Sequence, residues 1–163
     1  MGLSVRGALT VVRRATDADV DLLVAWHADP EISRYWDDEP FTREEVLDRL
    51  RREQVDPWIV EAGGDPVGYV QSWWEEDEPL RGGIDGFLIP TARGRGLMPD
   101  AARALAQSLL DAGWQHVTAD PYAWNERAVR AWAKAGFVEV RRCPADGEHP
   151  AEWVLMKFGR LSP

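Results

Sequence analysis

Between Gly83 and Leu109 the chain passes from strand-like to helix-like patterning through one short loop rich in glycine and arginine, and this junction restricts the fold more than any other feature. Gly83-Ile84-Asp85-Gly86-Phe87-Leu88-Ile89 reads as a strand, and Ala102, Leu105, Ala106 and Leu109 recur at helical spacing. Thr91 to Pro99, containing Arg93-Gly94-Arg95-Gly96, joins them. Glycines let backbone N–H groups converge, and the helix start adds partial positive charge, so such a loop can hold phosphate. Pro99 is expected at the first helical position, where no N–H is needed. The loop lacks the G-x-x-x-x-G-K-[ST] of a P-loop and the full G-x-G-x-x-G of a dinucleotide fold. A glycine-rich turn with solvated arginines is the plain alternative. The two glycines around Asp85 predict a bulge or a close backbone approach there.

Turn signals fall at short intervals on both sides of this junction. Leu9 to Arg14 reads as a first strand. Thr16 with Asp19, and Thr42 with Glu45, are capping boxes that open two helices, and Asp29-Pro30 stops the first. Pro57 to Glu61 and Val67 to Trp74 form a hairpin around Gly63-Gly64-Asp65. His116 to Ala119 is a short strand that runs into Asp120-Pro121. Asn125 caps a helix that Gly136 closes, and Phe137 to Arg142 and Trp153 to Phe158 are the last strands. The order β-α-α-β-β-β-α-β-α-β-β describes a mixed α/β domain around one sheet.

Composition narrows the function classes. At 163 residues one domain is expected, spanning 1–163. Cys143 is the only cysteine, so no internal disulfide forms, and no apolar run reaches membrane-spanning length. With no signal-like apolar segment at the start, a soluble cytoplasmic protein is expected. Nineteen basic and twenty-eight acidic residues give a net charge of -9, which argues against nucleic acid and suits a cationic partner or simply solubility. His27, His116 and His149 show no metal-ligand spacing and are expected to be structural or exposed, and no metal site is expected.

Arg93-Gly94-Arg95-Gly96-Leu97 resembles the pyrophosphate loop of the GNAT N-acetyltransferases, [RQ]-x-x-G-x-[GA]. Met98 stands where the family has a small residue and is expected to crowd the turn. Asn125-Glu126-Arg127-Ala128 followed by Lys134-Ala135-Gly136-Phe137 is similar to the family's N-x-R-A…K-A-G-F helix. The resemblance implies an α/β GNAT fold, a single mixed, mostly antiparallel twisted sheet flanked by about four helices. It also implies acetyl-CoA (coenzyme A) held by Phe87, Leu88, Ile89, Arg93, Gly94, Arg95, Gly96, Leu97, Met98, Asn125 and Arg127.

Gly68-Tyr69-Val70-Gln71-Ser72, Trp74-Glu75-Glu76 and Arg81-Gly82-Gly83-Ile84-Asp85 resemble the aminoglycoside 6′-N-acetyltransferases in particular. That resemblance implies transfer of acetyl to a primary amine of an aminoglycoside, most simply the 6′-amine, with antibiotic resistance as the outcome. It makes Asp85 the general base, and it places Trp36, Asp37, Gln71, Trp74, Glu75, Glu76, Asp85 and Asp120 in the acceptor site. A carboxylate suits this work because an ammonium must lose a proton before it can attack. Asp120 read alone could be an Asx-turn before Pro121, Trp36 could be core, and Glu75 to Glu78 a solvated turn. Trp132 occupies the family's usual tyrosine position and cannot act as an acid, so either slower turnover or another proton donor is expected, with Tyr122 the candidate. On the same fold, a protein N-terminus or a siderophore-precursor amine is an alternative acceptor, and a non-catalytic acyl-CoA or antibiotic-binding module is a second alternative. Monomer and homodimer both stay open.

Overall fold

The computed structural model describes residues 4–36, 40–75 and 81–159, with Arg81 described by its backbone alone. Among the described residues, eight strands form one sheet in the order β1-β2-β3-β4-β5-β6-β8-β7. The strands are β1 (Ser4–Arg6), β2 (Val11–Arg14), β3 (Val55–Ala62), β4 (Asp65–Trp74), β5 (Arg81–Leu88), β6 (His116–Ala119), β7 (Phe137–Cys143) and β8 (Trp153–Phe158). The helices are α1 (Val20–Ala28), α2 (Pro30–Ser33), α3 (Arg43–Arg51), α4 (Leu97–Asp111) and α5 (Glu126–Ala135). Strand β1 and the one-turn α2 add to the elements expected. Asp29 ends α1, as its Pro30 neighbour requires, and then caps α2 by accepting from the Glu31 N–H at 2.9 Å.

Both capping boxes form. Thr42 and Glu45 start α3 directly, whereas Thr16 and Asp19 start a single 3₁₀ turn that feeds α1. The β3–β4 hairpin turns on Gly63 (φ 60°) and Gly64 (φ 84°), the two left-handed positions that a tight hairpin demands. Helix α4 begins at Leu97, so Pro99 is its third residue rather than its first, still within the turn whose N–H groups have no helical partner.

Strand alternation divides the core. Val12, Trp58, Val60, Val70 and Ile84 pack beneath α4 and α5, with Leu105, Ala106 and Leu109 above them. Ile59, Tyr69 and Phe87 project from the opposite face, toward Val20, Leu23, Ile32 and Val46. Every sheet neighbour is antiparallel except β5 and β6. That parallel pair runs in register only from Arg81↔His116 to Gly83↔Thr118. On its other edge β6 pairs with β8 at Thr118↔Lys157 and Ala119↔Met156, while β5 continues toward Leu88 with no β6 rung past Gly83, so the sheet splits there. Asp85 and Asp120 lie two residues past the last shared rung, one on each side of the split.

Candidate active site

The β4–β5 ladder is continuous from Gly68↔Leu88 to Trp74↔Gly82, so no bulge occurs at Asp85. The flanking glycines instead serve close backbone approach. A Cβ on Gly83 would stand 2.7 Å from the Thr118 carbonyl, and one on Gly86 2.7 Å from the Tyr69 carbonyl. The Ile89 N–H donates to the Val67 carbonyl at 2.9 Å. By antiparallel alternation the N–H groups of Asp85 and Phe87 also point to β4, and those of Gly86 and Leu88 point into the split.

Two cavities meet at this split. The first, of about 620 Å³, is lined on one side by Gly86, Phe87 and Leu88, on another by Arg93, Gly94 and Gly96 to Pro99, and on the third by Asn125, Arg127 and Trp132 of the α5 region. Gly94 (φ 78°) and Gly96 (φ 74°) hold left-handed backbone, which turns the loop onto the α4 N-terminus. Ile89 and Arg95 do not line this cavity. Ile89 is tied back to β4 and packs on the core, while Arg95 is exposed. The Arg93 guanidinium braces the structure, donating to the Leu88 carbonyl (3.3 Å) and the Glu31 carbonyl (2.7 Å) and standing over the Tyr35 ring. Met98 does not crowd the turn, because its side chain is buried inward over Gly86, where the missing Cβ leaves room. Asn125 caps α5, accepting from the Ala128 N–H at 3.2 Å.

The second cavity, of about 480 Å³, is lined by Trp36, Gln71, Trp73, Asp85, Asp120 and Tyr122, with Arg49, Arg52, Glu148 and His149 at its sides. Tyr35, Gly86, Phe87, Asn125, Ala128 and Trp132 line both cavities. Gln71 sits opposite Asp85 on β4, donates to its Oδ2 at 3.1 Å, and accepts from the Tyr69 hydroxyl at 3.1 Å. Desolvation, and secondly the charge of Asp120, push the Asp85 carboxyl up to about 7, while bonds from Gln71 and Trp73 pull the other way. Asp85 is therefore a carboxyl poised to exchange a proton near neutral pH. Trp36 meets Tyr69 and Phe87 edge-on, and Arg49 stands over its ring at 5.2 Å.

Several sequence expectations need correction. Trp74 turns to the opposite face and packs edge-on against Trp114, so Trp73, on the same face as Gln71, lines the cavity instead. Alternation counted from Gln71 would have found it. Glu75 is exposed and does not line the cavity, and Asp37 and Glu76 lie outside the described residues. His149 is not exposed but half-buried and lines the second cavity, as does Tyr35, which carried no sequence signal. His27 does belong to the core. It is 2% exposed and stacked on Phe41, and burial with the Arg49 charge lowers its pKa to about 4. Among the described residues, no group of three or more His, Cys, Asp or Glu could hold a metal, and no helix is long and apolar enough to cross a membrane.

Residues 10–138 match the acetyltransferase (GNAT) domain family. The chain belongs to the GNAT acetyltransferase family. Within it, an aminoglycoside N(6′)-acetyltransferase type 1 from Klebsiella pneumoniae is 33% identical, with 77% of this chain and 72% of that protein covered. The relative of the same name from Serratia marcescens matches equally. The aminoglycoside acetyltransferase AAC(6′)-Ib, solved with paromomycin and acetyl-CoA, superposes with a TM-score of 0.81 at 29% identity, covering 93% of this chain and 94% of that one. Its complex with coenzyme A and kanamycin superposes with a TM-score of 0.80, covering 93% and 95%. The glycine loop and α5 fall within the matched residues, and this chain is an N-acetyltransferase enzyme.

Proposed function

We propose that the chain transfers acetyl from acetyl-CoA to a primary amine of an aminoglycoside, the 6′-amine being the position its relatives' names specify. The observation that carries this reading is the facing pair Asp85 and Asp120, set across the β5/β6 split where the two cavities meet.

The first cavity fits the cofactor. The left-handed glycines and the α4 N-terminus provide an anion cradle, Arg127 adds charge, and the N–H groups of Gly86 and Leu88 line the split as donors for an extended amide arm. Acetyl-CoA brings an acetyl thioester whose thiol, with a pKa of about 8.5, is a tolerable leaving group. The chain does the rest by holding and deprotonating the acceptor. Asp120 attracts the ammonium, and Asp85 takes its proton. The Asp85 carboxyl is itself held by Gln71 and Trp73. Tyr122 and Tyr35 bring phenol groups to the acceptor cavity, and Tyr35 lines both cavities, so both stand as proton donors in place of Trp132. The cavity size falls in the range of small-molecule sites, and the net charge of -9 favours a polycation. Acetylation of an amine abolishes a positive charge on the drug, which supports the resistance reading.

The test is release of CoA thiol with kanamycin and with an analogue blocked at the 6′-amine. Turnover with kanamycin alone is the expected result. Turnover with both would move the acetylated position, and turnover with no aminoglycoside would overturn the proposal.

A further inference from the structure

Asp120 does not face Asp85 unsupported. The loop between β7 and β8 brings His149 against it, with His149 Nε2 2.8 Å from Asp120 Oδ2. The other ring nitrogen, Nδ1, lies 3.0 Å from Asp146 Oδ1. An ionised carboxylate only accepts hydrogen bonds, so a ring flanked by two of them is satisfied on both nitrogens only as the imidazolium. Asp146 is built to remain an anion. Its Oδ1 accepts from the Glu148 N–H at 2.9 Å and the His149 N–H at 2.8 Å, and its Oδ2 accepts from the Trp153 indole at 3.1 Å. Trp153 also stacks on the His149 ring, with centroids 4.2 Å apart and planes 14° apart, a geometry that favours a cation. The Tyr122 ring meets His149 edge-on from the third side. His149 lines the acceptor cavity with its side chain only 13% exposed.

We infer that His149 is a positioning residue for the acetyl transfer: a cation wedged between Asp146 and Asp120, it fixes the Asp120 carboxylate opposite Asp85. This rests on the reading of Asp85 and Asp120 as the acceptor pair. Two facing carboxylates cannot both be anions without cost, and a third charge decides how the proton of the pair is shared. The His149 cation holds the Asp120 carboxyl in place to receive ammonium and offsets part of the negative charge that faces Asp85. Burial works against the charged ring, but Asp120 and Asp146 outweigh it and raise its pKa above the ordinary value. The other charged or titratable groups around this cluster are Glu148 on the same loop, Tyr122, and Asp85, Arg49 and Arg52 across the cavity.

The test pairs kinetics with a direct reading of the ring. His149→Phe retains a ring to stack on Trp153 but loses both donors. It is expected to raise KM for kanamycin by about tenfold, the loss of one hydrogen bond to a charged group. Its acidic limb in kcat/KM is expected to move up by about one pH unit, since removing a cation hinders ionisation of the pair. His149→Gln restores a neutral donor, so its KM returns to within about threefold of the wild type, as a single hydrogen bond's net worth suggests, and its limb stays displaced. A KM and pH profile of His149→Phe that match the wild type overturn the inference. In the unmutated enzyme, ¹⁵N NMR is expected to show a His149 ring titrating above about 6.5, the ordinary value, with both nitrogens protonated below it. A ring neutral at that pH also overturns the inference. Wild-type enzyme inactive on every aminoglycoside would refute the acceptor reading itself, and the ring titration, which needs no turnover, would still decide whether His149 is the required cation.

Discussion

Asp85 shows how a buried carboxyl and a stable fold oppose each other in one residue. Its carboxyl is desolvated and faces a second carboxylate, so it holds its proton to about pH 7 when folded and releases it near 4 when unfolded. The folded chain then binds more protons than the unfolded chain between those values. Stability must fall as pH rises from about 4 to about 7 through this group, the reverse of an ordinary ion-paired aspartate. Asp85→Asn removes the penalty. At pH 8 it is expected to gain about 1–2 kcal/mol, or about 2–8 °C in Tm, and at pH 4 to gain almost nothing. Thermal unfolding at the two pH values checks this, and an equal or opposite effect at pH 8 would show that the carboxylate is not strained. Asp100 shows the contrast. It accepts from the N–H groups of Ala8, Leu9 and Thr10 and from the Thr10 hydroxyl, and these bonds hold its pKa below the ordinary value against the burial that would raise it.

At the scale of the element, strand alternation decides which side chains line the second cavity. Gln71 and Trp73 on β4 share the face of Asp85 and Phe87 on β5, and Trp74 belongs to the other face. Trp73→Ala is expected to raise KM for the aminoglycoside by about tenfold, with an indole N–H bond to a charged group lost. Trp74→Ala is expected to leave KM within about twofold, with its loss confined to packing on Trp114. Steady-state kinetics on the two variants separate these, and a larger KM effect at Trp74 would contradict the register.

The elements also show why the sequence is legible in some places and not in others. Caps and left-handed glycines act within a few residues, so the start of α3, the cap of α5 and the β3–β4 turn could be read directly. The glycines around Asp85 announced a special backbone, but close approach and a bulge leave the same mark in sequence. The choice depended on β4 and on Thr118, the latter 33 residues beyond Asp85. His149 was illegible for the same reason. Its partners are Asp120 and Asp146, and nothing in spacing alone joins the β7–β8 loop to the end of β6.

In the whole molecule, one topological event makes the site. Parallel β5 and β6 part after Gly83 and Thr118, which opens a cavity on each side of Gly86, and the two strand ends deliver Asp85 and Asp120 to the junction. The first cavity draws on the glycine loop and α4 and the second on β4, the Trp36 region and the β7–β8 loop, while Tyr35, Gly86, Phe87, Asn125, Ala128 and Trp132 line both. A substitution at a residue that lines only one cavity, as Asp85 lines only the second, should therefore leave binding at the other intact. The most direct test is Asp85→Asn assayed for acetyl-CoA binding by calorimetry and for turnover with kanamycin at pH 7.5. The expected result is acetyl-CoA affinity within about twofold of the wild type and kcat reduced by about 10²–10⁴-fold, the range for loss of a general base. Turnover that survives the substitution would contradict the account, because the proton would then leave the acceptor by a route that does not use the carboxylate at the split.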